Sequence, residues 1–246
     1  MLFPIGHESN DRRSIAVVVL LLILVNAYVF LLELTLGNSF IAAYSAVPYE
    51  IWRGVDLVRP VVVRGLGVIP QAPGPTPIYL TLFTSMFLHA GLLHLAGNML
   101  YLWIFGPHIE DNFGHLSFLV FYLICGVAAA MTQIMYDPDS AIPTLGASGA
   151  IAGVLGAYLA MFPGNRIRVL FPLGIIWAPA RLPAVIVIGF WFILQLFSGY
   201  AAVIEHTAQR HRGGVAYLAH IGGFIAGLIL SFFFRRPLKA NRGAAA

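Results

Sequence analysis

Thr144-Leu145-Gly146-Ala147-Ser148-Gly149-Ala150-Ile151-Ala152-Gly153 sets a serine among small residues where a loop gives way to an apolar run. Pro143 and Gly146 break whatever precedes it, and Ala150 to Phe162 is almost wholly apolar. A hydroxyl in such a run costs free energy unless something hydrogen-bonds it. Small neighbours leave the hydroxyl uncovered and let a second helix or a substrate backbone come close. Taken alone, the stretch reads as a helix-packing motif of Gly and Ser, so the meaning of Ser148 comes from the rest of the chain.

Composition fixes the solvent. Of 246 residues, 59% are hydrophobic and only 10% charged, and the mean hydropathy is +0.85. An ordinary soluble domain does not have those values; a polytopic membrane protein does. The net charge of +4 is carried by arginines at the ends of apolar segments, as membrane topology requires, so nucleic acid is not an expected partner. The single cysteine, Cys125, lies in an apolar run, which excludes a disulfide framework.

Outward from Ser148, the apolar runs divide the chain into six predicted spans. Ser148 to Phe162 is the fourth, too short to cross the hydrocarbon unaided, so the serine should begin it below the membrane surface. Before it come Ser14 to Leu36, then Ile78 to Phe105, then His115 to Tyr136. The second is interrupted by His89, His94 and Asn98 and is expected to stop at Phe105-Gly106-Pro107. Glu33 falls near the far end of the first, where its carboxylate is expected to reach water. Leu182 to Ile204 and Val215 to Phe234 complete the set. The predicted fold class is an all-α polytopic membrane protein, a single domain over residues 1–246. Residues 1–13 and 235–246 read as cytoplasmic tails, and 37–79 as a long outer loop with a stiff Pro-rich end. That arrangement puts nine of the fourteen Lys and Arg residues inside, so both termini are expected there. With no Arg- and Ser-rich transit segment before the first span, a prokaryotic plasma membrane is the expected location.

Polar groups at membrane depth are functional candidates by default, and here they are His89, His94, Asn98, Ser148 and His220. At 3.6 residues per turn, Gly149, Gly153 and Gly156 make one stripe, and His220, Gly223 and Gly227 make another. Two glycine stripes allow backbone contact, and each carries its polar residue at the same end, so Ser148 and His220 can face one another. A nucleophile and its general base need that geometry, and a neutral imidazole can take the serine proton. No Asp or Glu shares these segments, which predicts a Ser-His dyad rather than a triad. Acyl transfer also needs donors aimed at the developing oxyanion. His94 and Asn98, four apart on one helix face, can donate, as can the backbone N–H of Ser148 at a helix start. The competing reading is a zinc site made from the three histidines. It lacks an H-E-x-x-H motif and a buried carboxylate, and leaves Ser148, Asn98 and both glycine stripes unexplained. His89 reads as a histidine that shapes the loop rather than one that reacts.

Four segments, in this order and on these spans, carry a resemblance. They are His89-Ala90-Gly91-Leu92-Leu93-His94-Leu95-Ala96-Gly97-Asn98, Phe105-Gly106-Pro107-His108-Ile109-Glu110, Gly146-Ala147-Ser148-Gly149 and His220-Ile221-Gly222-Gly223-Phe224-Ile225-Ala226-Gly227. Over about Leu82 to Phe234 the chain resembles the rhomboid family of intramembrane serine proteases. The resemblance implies a rhomboid-like six-transmembrane-helix bundle whose short fourth helix is central, with a water-filled cavity open to the outer face. It implies Ser148 as nucleophile and His220 as general base and acid. His94, Asn98 and the Ser148 N–H would form the oxyanion hole, with His89, Gly146, Gly149, Gly223 and Gly227 shaping the site. Implied partners are transmembrane protein substrates, cut near their outer ends, and the lipid bilayer; no metal or other cofactor is implied. The fifth span with the loop Glu205 to Gly214 would form a lateral gate. Leu80-Thr81 stands where well-studied members carry Trp-Arg, and Ala152 where some stack a Tyr beneath the histidine. A non-catalytic relative that grips membrane clients is the second reading. A channel is a third, opposed by the clustering of polar groups toward one side.

Overall fold

Helix α1, Val17–Leu36, begins on a carboxylate: Glu110 accepts the N–H groups of Val18 and Val19, each at 2.8 Å. Two free N–H groups at the helix start offset the burial of that polar group, and His115 Nδ1 completes the contact. One face of α1, with Val19, Leu22, Asn26, Phe30 and Glu33, is buried at helical spacing. The opposite face exposes Leu20, Leu21, Leu24, Leu31 and Leu34. A face that apolar is stable only against lipid.

The computed structural model describes residues 3–7, 15–63, 66–173, 176–208 and 216–235. Six helices form the bundle: α1, then α5 (Leu92–Phe113), α6 (His115–Tyr136), α7 (Ser148–Met161), α8 (Ala184–Ala208) and α9 (Tyr217–Phe234). Four of them, α1, α6, α8 and α9, hold segments long and apolar enough to cross a membrane. A fifth candidate for a crossing is α5 taken together with the bent lead-in Ile78–Phe87, which contains α4 (Thr81–Thr84) and meets it at 81°. The chain is a multi-pass helical membrane protein. Helix α7, at about 1.5 Å per residue, falls short of the hydrocarbon thickness, and every residue from Gly149 to Tyr158 is buried. It is the central helix, with α6 and α9 packed along it.

Glycine makes that packing possible. A Cβ on Gly223 would sit 2.1 Å from the carbonyl oxygen of Gly149, and one on Gly227 would sit 2.0 Å from that of Gly153. Helices α7 and α9 therefore touch backbone to backbone.

Three expectations are corrected. Phe105-Gly106-Pro107 does not stop the second span: α5 runs six residues past Pro107 to Phe113, with the proline inside it. Pro107 offers no N–H to the Trp103 carbonyl, and beside that break His7 Nε2 donates to the Ile104 carbonyl. Glu33 does not reach water; it is 4% exposed, and its Oε1 accepts the His89 N–H at 2.9 Å. The helical fold class stands, and a small sheet accompanies the bundle. The stretch β4 (Arg166–Leu173) pairs with β5 (Ile176–Pro183) and with β1 (Phe3–His7), in the order β1-β4-β5. Finally, Phe3–His7 is this packed edge strand rather than part of a polar tail.

The described residues between 37 and 79 contact the loop that leads to Ser148. They fold as α2 (Asn38–Tyr44), α3 (Pro48–Arg53) and a hairpin of β2 (Val61–Val63) and β3 (Gly67–Ile69), followed by an irregular Pro-rich run. Ala46 and Thr144 exchange both backbone hydrogen bonds, at 3.0 and 2.8 Å. Tyr49 N–H donates to Ser140 O, Gln71 Nε2 to Ala141 O, and Arg53 to Asp139. Residues 8–14, 209–215 and 236–246 lie outside the described residues, and with them most of both predicted tails and the loop of the predicted gate.

Candidate active site

Ser148 is the first residue of α7, half-buried, at the end of a loop held open by Gly146. Gly146 has φ +126, a conformation that disfavours any side chain, and its N–H donates to Ser85 O at 2.8 Å. The Ser148 hydroxyl lies 2.8 Å from His220 Nε2, so the two glycine stripes meet in the register the sequence predicts. The pair is set at one end of the α7–α9 seam, where a cavity lined by Ser85, Thr144, Gly146, Ser148, Ala216 and Ala219 begins.

His94 faces the same space. The point at which a Cβ on Gly146 would sit is 3.2 Å from His94 Nε2 and 3.6 Å from Ser148 Oγ. His94 Nδ1 accepts the Ala90 N–H at 3.3 Å, which puts the ring hydrogen on Nε2, the atom on the serine side. Asn98, one turn further along α5, is buried, and among the described residues its amide Nδ2 has no hydrogen-bond partner. An unengaged buried donor is expensive in the resting protein and ready for an acceptor. The His89 ring packs edge-on against His94 at 5.1 Å, and its main-chain N–H is the group held by Glu33.

Besides Tyr217 of its own helix, whose ring lies 6.4 Å away, two residues absent from the predicted site neighbour His220. Gln195 Oε1 lies 2.8 Å from His220 Nδ1, and the Trp191 ring lies 6.0 Å from the imidazole at 35°. Both belong to α8. Gln195 had a signal in the sequence, being a lone amide in an apolar run, but the sequence does not reveal which way α8 is rotated. Among the described residues no three His, Cys, Asp or Glu side chains converge as a metal ligand set.

The arrangement supplies a hydroxyl, an imidazole within hydrogen-bond distance of it, and the His94 ring beside the turn that carries the hydroxyl. The Rhomboid domain family model matches residues 77–237. Among relatives, the rhomboid protease GluP of Bacillus subtilis is 35% identical over 164 residues, which cover 65% of this chain and 28% of that protein. RHOMBOID-like protein 6, mitochondrial, of Arabidopsis thaliana is 30% identical over 61% of this chain and 42% of its own length. Rhomboid protein 1, mitochondrial, of Saccharomyces cerevisiae is 28% identical over 66% of this chain and 44% of its own. The chain thus spans less than half the length of these relatives.

Proposed function

The chain belongs to the rhomboid family, and from that premise we propose that it is an intramembrane serine endopeptidase working through a Ser148–His220 dyad. The observation that carries this reading is the 2.8 Å contact between Ser148 Oγ and His220 Nε2 at the head of a buried helix. Ser148 Oγ attacks the scissile carbonyl of a transmembrane substrate while Nε2 takes its proton. The tetrahedral oxyanion accepts hydrogen bonds from His94 Nε2–H, the Asn98 amide and the Ser148 N–H. His220 returns the proton to the leaving amine, and a water activated by the same imidazole releases the acyl group. His89, Gly146, Gly149, Gly223 and Gly227 act on the shape of the site rather than on the substrate. Both ends of the chain belong on the inner side of a prokaryotic-type plasma membrane, with residues 37–79 on the outer side, as the distribution of Lys and Arg supports. The whole of 1–246 works as one membrane domain.

The test uses the purified protein in liposomes with a single-span model substrate. Ser148→Ala and His220→Ala are expected to lower cleavage by a factor on the order of 10⁵ or more, and a chelator to leave wild type unaffected. Cleavage by Ser148→Ala overturns the mechanism. A wild type that binds several substrates and cuts none supports the client-binding reading instead.

A further inference from the structure

On the serine-protease reading, we infer that Gln195 is a positioning residue for the general base: its side-chain oxygen holds His220 in the tautomer that leaves Nε2 free for the Ser148 proton. A neutral imidazole has one N–H and one lone pair, and only the environment decides which nitrogen has which. His220 has a neighbour at 2.8 Å on each side, Ser148 Oγ at Nε2 and Gln195 Oε1 at Nδ1. A carbonyl oxygen only accepts. With the hydrogen on Nδ1, the ring donates to Gln195 and Nε2 accepts the serine O–H, so both contacts are satisfied. With the hydrogen on Nε2, the Nδ1 lone pair faces the Gln195 oxygen and the contact is repulsive.

The backbone one turn earlier favours this orientation of the amide. Gln195 Nε2 lies 3.5 Å from the Trp191 carbonyl oxygen, so flipping the amide would set two oxygens against each other. The side chain is 5% exposed in an apolar helix, where an amide is costly without partners. Its partners are the histidine edge and the backbone one turn earlier. Trp191 lies on the same helix face, four residues before, and flanks the imidazole. Phe192 stacks on Phe224 of α9 at 4.1 Å and 18°, which seats α8 against the helix that carries His220. Gln195 keeps the Nδ1 hydrogen bond when Nε2 gains its proton, because both ring nitrogens then donate. Being uncharged, it orients the base without the extra stabilisation of imidazolium that a carboxylate would give. Among the described residues, the titratable side chains that face His220 are His94 and Tyr217, whose ring lies 6.4 Å from the imidazole.

Two variants of the full chain test this in liposomes from pH 5 to 9. Gln195→Met keeps the length and loses the acceptor; Gln195→Glu keeps the acceptor and adds charge. Gln195→Met is expected to lower kcat about 10- to 100-fold with KM unchanged, and to slow fluorophosphonate labelling of Ser148 in parallel. That is short of the roughly 10⁴-fold seen where a serine protease is forced into the wrong tautomer, because Met imposes neither tautomer. Gln195→Glu is expected to restore turnover and move the acid limb of the pH profile upward. Wild-type kcat and pH profile in Gln195→Met overturn the inference, as does an unshifted acid limb in Gln195→Glu, which decides the matter if the Met variant does not fold. Cleavage by Ser148→Ala overturns the protease reading beneath it; an inert Ser148→Ala beside an unchanged Gln195→Met overturns Gln195 alone.

Discussion

Gly146 lies two residues before the serine at a φ that favours glycine, and a Cβ there would meet His94 Cε1 at 2.9 Å. Gly146→Ala is therefore expected to strain the turn and displace one oxyanion donor, with kcat falling on the order of 100-fold. Far-UV circular dichroism should be unchanged; wild-type turnover would show that His94 is not needed at that place. A second single-residue effect sits in the outer loop. Glu50 is buried and its Oε1 accepts the Leu57 N–H, and burial pushes its carboxyl up to about 7, against an ordinary 4.5. The folded protein thus holds a proton that the unfolded chain has lost, so its contribution to stability is full below about 4.5 and is lost as pH rises through 7. Glu50→Gln keeps the acceptor and removes the titration. Its Tm is expected to match wild type near pH 4.5 and exceed it at pH 8; parallel Tm curves across that range would sink this assignment. His94, Asn98, Ser148 and His220 were legible because a polar group inside an apolar run stands out whatever its partner. Glu33 and Gln195 stand out by the same rule, but their meaning depends on the rotation and tilt of neighbouring helices, which no single run of residues encodes.

Among the elements, the α7–α9 seam has the least freedom. A Cβ on Gly227 would lie 2.0 Å from the Gly153 carbonyl oxygen and 2.4 Å from its Cα, with backbone on both sides and nothing flexible to give way. Gly227→Ala is expected to force the helices apart, at a cost of about 1–3 kcal/mol or more, and to lengthen the Ser148–His220 contact. Both Tm and cleavage should fall. Gly189, on α8, has open space around its Cβ position. Gly189→Ala should leave cleavage intact and hold or raise Tm, since Ala is the better helix former. Equal effects of the two substitutions would mean that the close approach is not what glycine provides. The helices were readable because lipid selects for long apolar runs, and the bounds predicted for the third span coincide with α6. The strands were less so. In β4, Arg166 and Arg168 are exposed and Ile167 and Val169 buried, a period of two written in the sequence. Its partners, however, lie as far off as Phe3, and no local pattern names a pairing at that separation.

Considered whole, the molecule is fastened at both ends of its central helix, and by different means. Around Ser148, the outer loop pairs its backbone with Thr144 and so frames the segment that presents the nucleophile. At the other end, His7 of β1 donates from Nε2 to Ile104 O and accepts at Nδ1 from the Tyr158 hydroxyl, which in turn accepts from Asn165. The His7 ring also lies 4.1 Å from that of His108. One histidine thereby ties an edge strand to α5 and α7 where Pro107 disturbs the α5 ladder. Tyr158 is ten residues past Ser148, roughly 15 Å along the helix axis. The two fastenings should therefore be separable in function. His7→Ala leaves Tyr158 bonded to Asn165 but strips a partner from the Ile104 carbonyl, a loss on the order of 1–3 kcal/mol. Expected is a Tm lower by several degrees, with kcat at a temperature well below the transition within about twofold of wild type. A His7→Ala protein that keeps its Tm but loses kcat would instead mean that the far end of α7 is coupled to the serine. Tyr158, whose hydroxyl binds His7 directly, would then be the side chain that carries the coupling.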